Sequence, residues 1–359
     1  MTSRVVVVNL LPTLVTVILL YVLWRFFAAV QVGVMLFLLG MVLSAALYPV
    51  VRFLHERVRL PRPIAVFMTV FGSLFLVAAF VWFLVPNLIA ELREAWQTLT
   101  TQSQFSTELR RFSQANPWVD RLFASDTPEE IGQSLRAIPK PLLNVALQVS
   151  SNLLTLLGYA FVVLLLMLYT LGRPEPLLQG LIGAIPDQYR ARATRATEEV
   201  VAALRVWGMS TLLIMTSGGV LVWLGLTVIG VKNALMYGFL SALGELIPNL
   251  GPTVANSIPV LVTFAENPSK ALIAAVWLIT VQVIQGVVSP YLFGRTVELH
   301  PVSIIAGILL LGSSLGLIGA FLTVPFLIIV KVTYETFYLT RPELSDVPKE
   351  QVEEILEQA

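Results

Sequence analysis

Apolar positions in this chain fall in long, nearly unbroken blocks, and polar positions collect between them. A hydrocarbon core of about 30 Å needs around 20 apolar residues in helical form, because only a helix satisfies its own backbone groups there. By that measure the blocks predict about eight spans. The first lies near Leu10 to Phe27 and the second near Gln31 to Leu54, with a short turn around Arg25 and Ala29. The third runs from Pro63 to about Leu88, where Pro63 suits a first helical turn. The fourth covers Leu142 to Leu171, the fifth Val206 to Ile229, the sixth Asn233 to Phe264, the seventh Ala271 to Tyr291 and the eighth Val302 to Thr336. The sixth and eighth are overlong and interrupted, so broken or re-entrant helices are expected there.

Three polar stretches divide these blocks. Residues 90–141 mix acids, bases, Gln, Ser and Thr, with Pro117, Pro128 and Pro139 as punctuation. Scattered Leu92, Trp96, Leu99 and Leu109 predict an amphipathic helix continuing out of the third span, within a small helical insertion. Residues 172–205 contain an interfacial amphipathic helix from Asp187 to Leu204, carrying Arg190, Arg192 and Arg195. Residues 340–359 form a charged tail. The expected organisation is therefore 1–89 with spans one to three, the insertion, span four at 142–171, the amphipathic segment, 206–339 with spans five to eight, and the tail. As a fold class this is an all-α polytopic transmembrane bundle with a small polar insertion.

Composition agrees with lipid as the solvent: 57% of residues are hydrophobic and 13% charged, against roughly a quarter charged in soluble domains. A net charge of +1 gives no argument for nucleic acid. The chain has no cysteine, which removes disulfides, thiolate metal sites and thiol nucleophiles, and its only histidines are His55 and His300. The opening run could pass for a secretory signal, but it lacks a small-residue cleavage pattern and further spans follow, so a retained first span is expected. Bases in short loops set orientation. Arg52, Arg57, Arg59 and Arg62 precede span three, and Arg173, Arg190, Arg192, Arg195 and Arg205 precede span five. Both sets predict a cytoplasmic face, with both termini on it and the insertion outside.

The candidate chemistry lies in the sixth block. Glu245, Pro248, Asn249, Gly251 and Pro252 interrupt an otherwise apolar run, and two prolines so close together forbid a continuous helix. Backbone groups freed at membrane depth are tolerated only against protein or a water-filled cavity, an arrangement transporters use for solute and ion sites. A charged carboxylate near mid-bilayer costs about 2.5 to 3.5 kcal/mol on insertion scales. Glu245 is thus either a proton or cation carrier, a ligand contact, or a structural carboxylate at the break. Asn249 and Asn256 supply amides for a solute or for the broken backbone. Gln282 and Gln285, three apart on one face of the seventh block, either line the same path or bond between helices. Gly312, Gly316, Gly319 and Pro325 in the eighth block read first as helix packing or hinge positions. There is no phosphate-cradling Gly-Lys-Ser/Thr loop and no His-Glu-x-x-His helix, so no catalytic residue, cofactor or metal is assigned.

The run from Ile247 to Pro252, then Leu299-His300-Pro301, the glycines of 312–319 and Thr323 to Phe326 before Lys331, resembles the autoinducer-2 exporter family of bacterial membrane proteins. The order of spans and insertion resembles that family over nearly the whole chain. The resemblance implies a multi-pass permease of the bacterial inner or plasma membrane, homo-oligomeric, exporting a small signalling molecule in quorum sensing or exchanging sodium for protons. The expected partners are the lipid bilayer, a small polar solute or cation, and further copies of the chain, with no nucleic acid. Two rivals stand beside a solute permease: a Na+(Li+)/H+ antiporter built on the same residues, and a non-transporting scaffold recruiting partners through the insertion.

Overall fold

A computed structural model describes residues 11–100, 153–293 and 299–339. Most of the insertion, the start of the fourth span, Arg295 and Glu298, and the tail lie outside the described residues. The described elements are all helical. They are α1 (Leu11–Glu56), α2 (Arg62–Thr100), α3 (Leu153–Gly172), α4 (Pro174–Gly183), α5 (Asp187–Ile229), α6 (Ala234–Gly244), α7 (Leu250–Glu266), α8 (Pro268–Phe293) and α9 (Pro301–Tyr334), closed by one π turn at Glu335–Leu339.

Five helices are long and apolar enough to cross a membrane, or six if the bent pair α3 and α4 is one span, so the count of eight is not reproduced. One join and one fold account for the difference, and a second join and a second fold leave the count unchanged. The expected turn at Arg25 and Ala29 is helix instead, since no Gly or Pro occurs between Pro12 and Gly33 to interrupt α1. Likewise the interfacial segment and the fifth span form a single helix of 43 residues, α5. Its Ala, Arg and Glu content up to Leu204 favours helix throughout, and no glycine intervenes before Gly208. As expected, the third span runs on past Glu91, to Thr100 within the described residues. After α3 the chain bends by 88° into α4, because Pro174 removes a helical donor and restricts Arg173 before it.

The two folds are helical hairpins. In the first, α6 has 11 residues, a rise of about 16 Å that reaches only halfway across hydrocarbon. The chain then turns through Glu245–Asn249 and returns as α7. Lys232 before α6 and Glu266 at the end of α7 are joined by an ion pair of 2.7 Å, so both ends of the hairpin share one mouth. The second hairpin is hidden inside α9. Gly316 adopts φ 65° and ψ −148°, a region open to glycine alone. Either side of it, Gly307 packs on Thr323 and Leu327 while Gly312 packs on Ala320. Residues 16 apart touch in that way only if limbs 301–315 and 317–334 lie antiparallel.

Three apolar clusters hold the helices together. One joins α1, α2 and α3 through Val51, Ala65, Val70 and Met167. Another joins α1, α5 and α9 through Val42, Leu204, Trp207 and Ile328. The third wraps the first hairpin with α2, α5 and α8 through Leu92, Val222, Tyr237, Ile258 and Leu278. Small residues allow the crossings, as the packing of Gly208 on Ala46 and of Gly219 on Gly238 illustrates. Beside the first crossing the Arg205 guanidinium lies 3.9 Å above the Tyr48 ring. The bundle consequently has two distinct ends. At one, the Arg57–Arg62 turn, the α3–α4 bend and the start of α5 gather, and Thr336 donates to Glu199 at 3.0 Å. At the other, Glu91 of α2 meets the mouth of the first hairpin.

Candidate functional site

The turn of the first hairpin opens into a cavity of about 110 Å³. Local sequence dictates its shape. Pro248 cannot continue α6, Asn249 takes a positive φ of 65°, and Gly251 starts α7 against the backbone of Gly244. Any Cβ at Gly251 would overlap the Gly244 carbonyl, so the two limbs meet at their tips only because both residues are glycine.

Six of the residues singled out in the sequence come together on the cavity wall: Glu245, Pro248, Asn249, Pro252, Gln282 and Gln285. Gly251 instead builds the turn, and Asn256 is buried one turn further along α7, off the cavity wall. Gln282 donates to Thr253 Oγ1 at 3.0 Å, and Thr253 donates to the Asn249 carbonyl at 2.7 Å. Gln285 donates to the Ile214 carbonyl at 3.3 Å and also faces the Glu245 carboxyl. The α8 amides therefore do both things weighed for them, lining the cavity and tying α8 to its neighbours.

Sequence reasoning missed the far wall. Trp207, Thr211 and Ile214 enter from α5, and Gly286, Ser289 and Phe293 from α8. The signal was present: Trp207, Thr211 and Ile214 recur at helical spacing, as do Gln282, Gln285 and Ser289. Nothing in α5 alone indicated which partner that stripe would face.

The glycines of the eighth block lie elsewhere. Gly316 is the turn of the second hairpin, Gly319 packs on the Leu311 carbonyl, and a Cβ at Gly312 would meet the Ala320 side chain at 3.6 Å, an ordinary packing distance. Pro325 lines a separate apolar cavity between α1 and α9. Trp207 links the two regions: one side lines the cavity at the first hairpin, and its ring centroid lies 5.8 Å from that of Phe321 in the second. His300 caps α9, its Nδ1 accepting from the Val302 amide at 3.3 Å, with Pro301 at the first helical position as the sequence predicts.

Chemically the described lining of the cavity offers one carboxyl, three carboxamides and two hydroxyls between aromatic walls, with no Lys, Arg or His among the described residues. Such a set suits hydrogen-bonding solutes or a cation and disfavours anions.

Comparison with known proteins agrees with this architecture. Residues 13–339 match the family described as AI-2E family transporter. The Putative transport protein YueF of Bacillus subtilis (strain 168) is 26% identical, with 82% of each chain covered. The Putative transport protein MT0215 of Mycobacterium tuberculosis (strain CDC 1551 / Oshkosh) is 29% identical over 86% of this chain and 83% of its own length. The AI-2 transport protein TqsA of Escherichia coli (strain K12) is 25% identical over 83% and 84% respectively. A chain with these helices, broken at these prolines and glycines and matched over nearly its full length, belongs to the AI-2E family of transporters.

Proposed function

We propose that this protein is a permease of the bacterial cytoplasmic membrane that moves a small polar solute, neutral or cationic, through the cavity at the turn of the first hairpin. The observation that carries this reading is the convergence of Glu245, Asn249, Gln282 and Gln285 on one small cavity with no basic residue among its described lining. Buried hydrogen-bonding groups of that kind hold a solute by its own donors and acceptors. Similarity to the AI-2 transport protein TqsA makes a signalling molecule of that type the first solute to try, although fold and family alone do not carry substrate identity. The basic loops at one end of the bundle favour a cytoplasmic position for that end, with the mouth of the first hairpin outside.

The experiment compares small metabolites inside and outside cells of a deletion strain carrying wild type or Glu245→Gln. An accumulated solute that wild type clears and the variant does not supports the reading. Equal clearance by both removes Glu245 from it, and no change in any metabolite with wild type removes the permease itself.

A second reading, Na+(Li+)/H+ exchange, is favoured by one observation: among the described residues of the cavity lining Glu245 is the one acid, with neutral oxygens beside it. Sodium- or lithium-driven acidification in vesicles, again with Glu245→Gln beside wild type, separates the two.

A further inference from the structure

Along α6 runs a stripe of polar side chains that extends beyond the cavity. Tyr237, Ser241 and Glu245 stand four residues apart and so share one helical face. At the mouth, Tyr237 donates its hydroxyl to Glu91 Oε2 at 3.2 Å, and the other Glu91 oxygen accepts from Asn233 Nδ2. At the cavity, Glu245 faces Gln285. Between them lies Ser241, 1% exposed, whose Oγ has no hydrogen-bond partner.

Ser241 is not alone in this. Asn256 is 6% exposed with neither side-chain amide atom partnered, and Gln285 is 9% exposed with its Oε1 unpartnered. A buried polar atom without a partner costs about 1–3 kcal/mol, and native interiors hold few of them. Here they gather at one level of the bundle. Gly219 packs on Gly238 and Ala242, Gly218 on Gln285, and Gly244 on Ala255, so Ser241 and Asn256 each adjoin a contact residue of that layer. An inert apolar hairpin packed on α8 has no reason to gather three such side chains there.

We propose that Glu91, Tyr237, Ser241 and Glu245 form a proton-conducting thread along α6, joining the mouth of the hairpin to the cavity, with Asn256 and Gln285 holding water in its gaps. Successive groups of the stripe are one helical turn apart, a backbone rise of about 6 Å, and water bridging their oxygens makes the chain continuous. A proton taken up by the Glu91 carboxylate passes to the Tyr237 oxygen, which releases its own proton onward. The Ser241 hydroxyl repeats the exchange, and the proton reaches a Glu245 carboxylate oxygen, from which it leaves through the cavity, whose lining extends to Phe293 at the end of α8 opposite Pro268. Each hydroxyl then reorients, with no net change in the relay groups. Hydroxyls suit this role because each both donates and accepts, whereas a bound cation needs several oxygens around one point. The charged groups near the mouth are Glu91 and Glu94 of α2, Lys232, Glu266 and Lys270. Around Glu245 the cavity lining from α5 and α8 is neutral.

The thread depends on the proposed permease only through Glu245, and it is tested without any solute. The full-length protein is reconstituted in vesicles enclosing a pH-sensitive dye, with membrane potential clamped by potassium and valinomycin, and a pH step is applied. Wild type is expected to dissipate the step faster than empty vesicles, and Tyr237→Phe and Ser241→Ala each to slow it about tenfold or more. Both variants remove a single oxygen, and thermal melting confirms that they fold. Should either fail to fold, Glu91→Gln at the half-buried mouth serves instead. Wild-type flux equal to that of empty vesicles, or unchanged flux in the folded variants, overturns the thread. Solute movement that persists while proton flux is absent overturns the thread alone; proton flux without solute movement overturns the permease and leaves the thread standing.

Discussion

Glycine serves two different purposes in this chain, and substitution separates them. At Gly251 the backbone is ordinary but the space is full, since a Cβ would meet the Gly244 carbonyl. Gly251→Ala is therefore expected to push the limbs of the first hairpin apart, at a cost of about 1–3 kcal/mol. Gly316 is the reverse: nothing lies within 4 Å of a Cβ there, but its φ is 65°. For Gly316→Ala the cost is backbone strain alone, again about 1–3 kcal/mol. Thermal melts in detergent read both. The distinguishing result is Gly251→Ser falling below Gly251→Ala, because added volume matters there, while Gly316→Ser matches Gly316→Ala, because the strain there comes from the backbone whatever the side chain. Most of the residues that matter at this scale were legible. Glu245, Pro248, Asn249, Pro252, Gln282 and Gln285 announce themselves as polar or helix-breaking positions in apolar blocks. Trp207, Thr211 and Phe293 did not, because an aromatic or a threonine in a membrane helix is unremarkable until its neighbour is known.

A proline-glycine break says that a helix stops, and leaves open where the chain goes next. A kinked span and a hairpin use the same residues, so Ile247 to Pro252 could not distinguish them. What decides is contact remote in sequence: Lys232 with Glu266, Gly244 with Gly251, Gly219 with Gly238. The same limit concealed the fold at Gly316, where the glycines read as packing positions. At Arg25 and at Leu204 the helix continues for a different reason: no glycine or proline lies there to interrupt the backbone. Because the chain lacks cysteine, the hairpin can be checked without background. Lys232→Cys with Glu266→Cys is expected to be bridged by a short thiol-reactive linker, and Lys232→Cys with Asn249→Cys is not. The ion pair itself is exposed, so Lys232→Ala should lower stability only slightly, with the small difference fading in high salt.

For the whole molecule, both hairpins return to the end they came from, the first at the Glu266 end and the second at the end where Thr336 meets Glu199. An impermeant maleimide added to intact cells is expected to label Lys232→Cys and Glu266→Cys alike, and to spare Arg59→Cys until the membrane is opened. Labelling of Lys232→Cys without Glu266→Cys would mean that the block crosses after all.

The short first limb also bears on how the protein is made. Its 11 residues are too few to be inserted as a conventional span, and beyond α7 the described helices packed around it are α2, α5 and α8. The last of these leaves the ribosome after the hairpin does. During synthesis, residues 233–266 must wait at the membrane surface until Pro268–Phe293 completes the slot. A nascent chain arrested shortly after Glu266 is thus expected to lose this segment to added protease, and one arrested after the second hairpin to keep it.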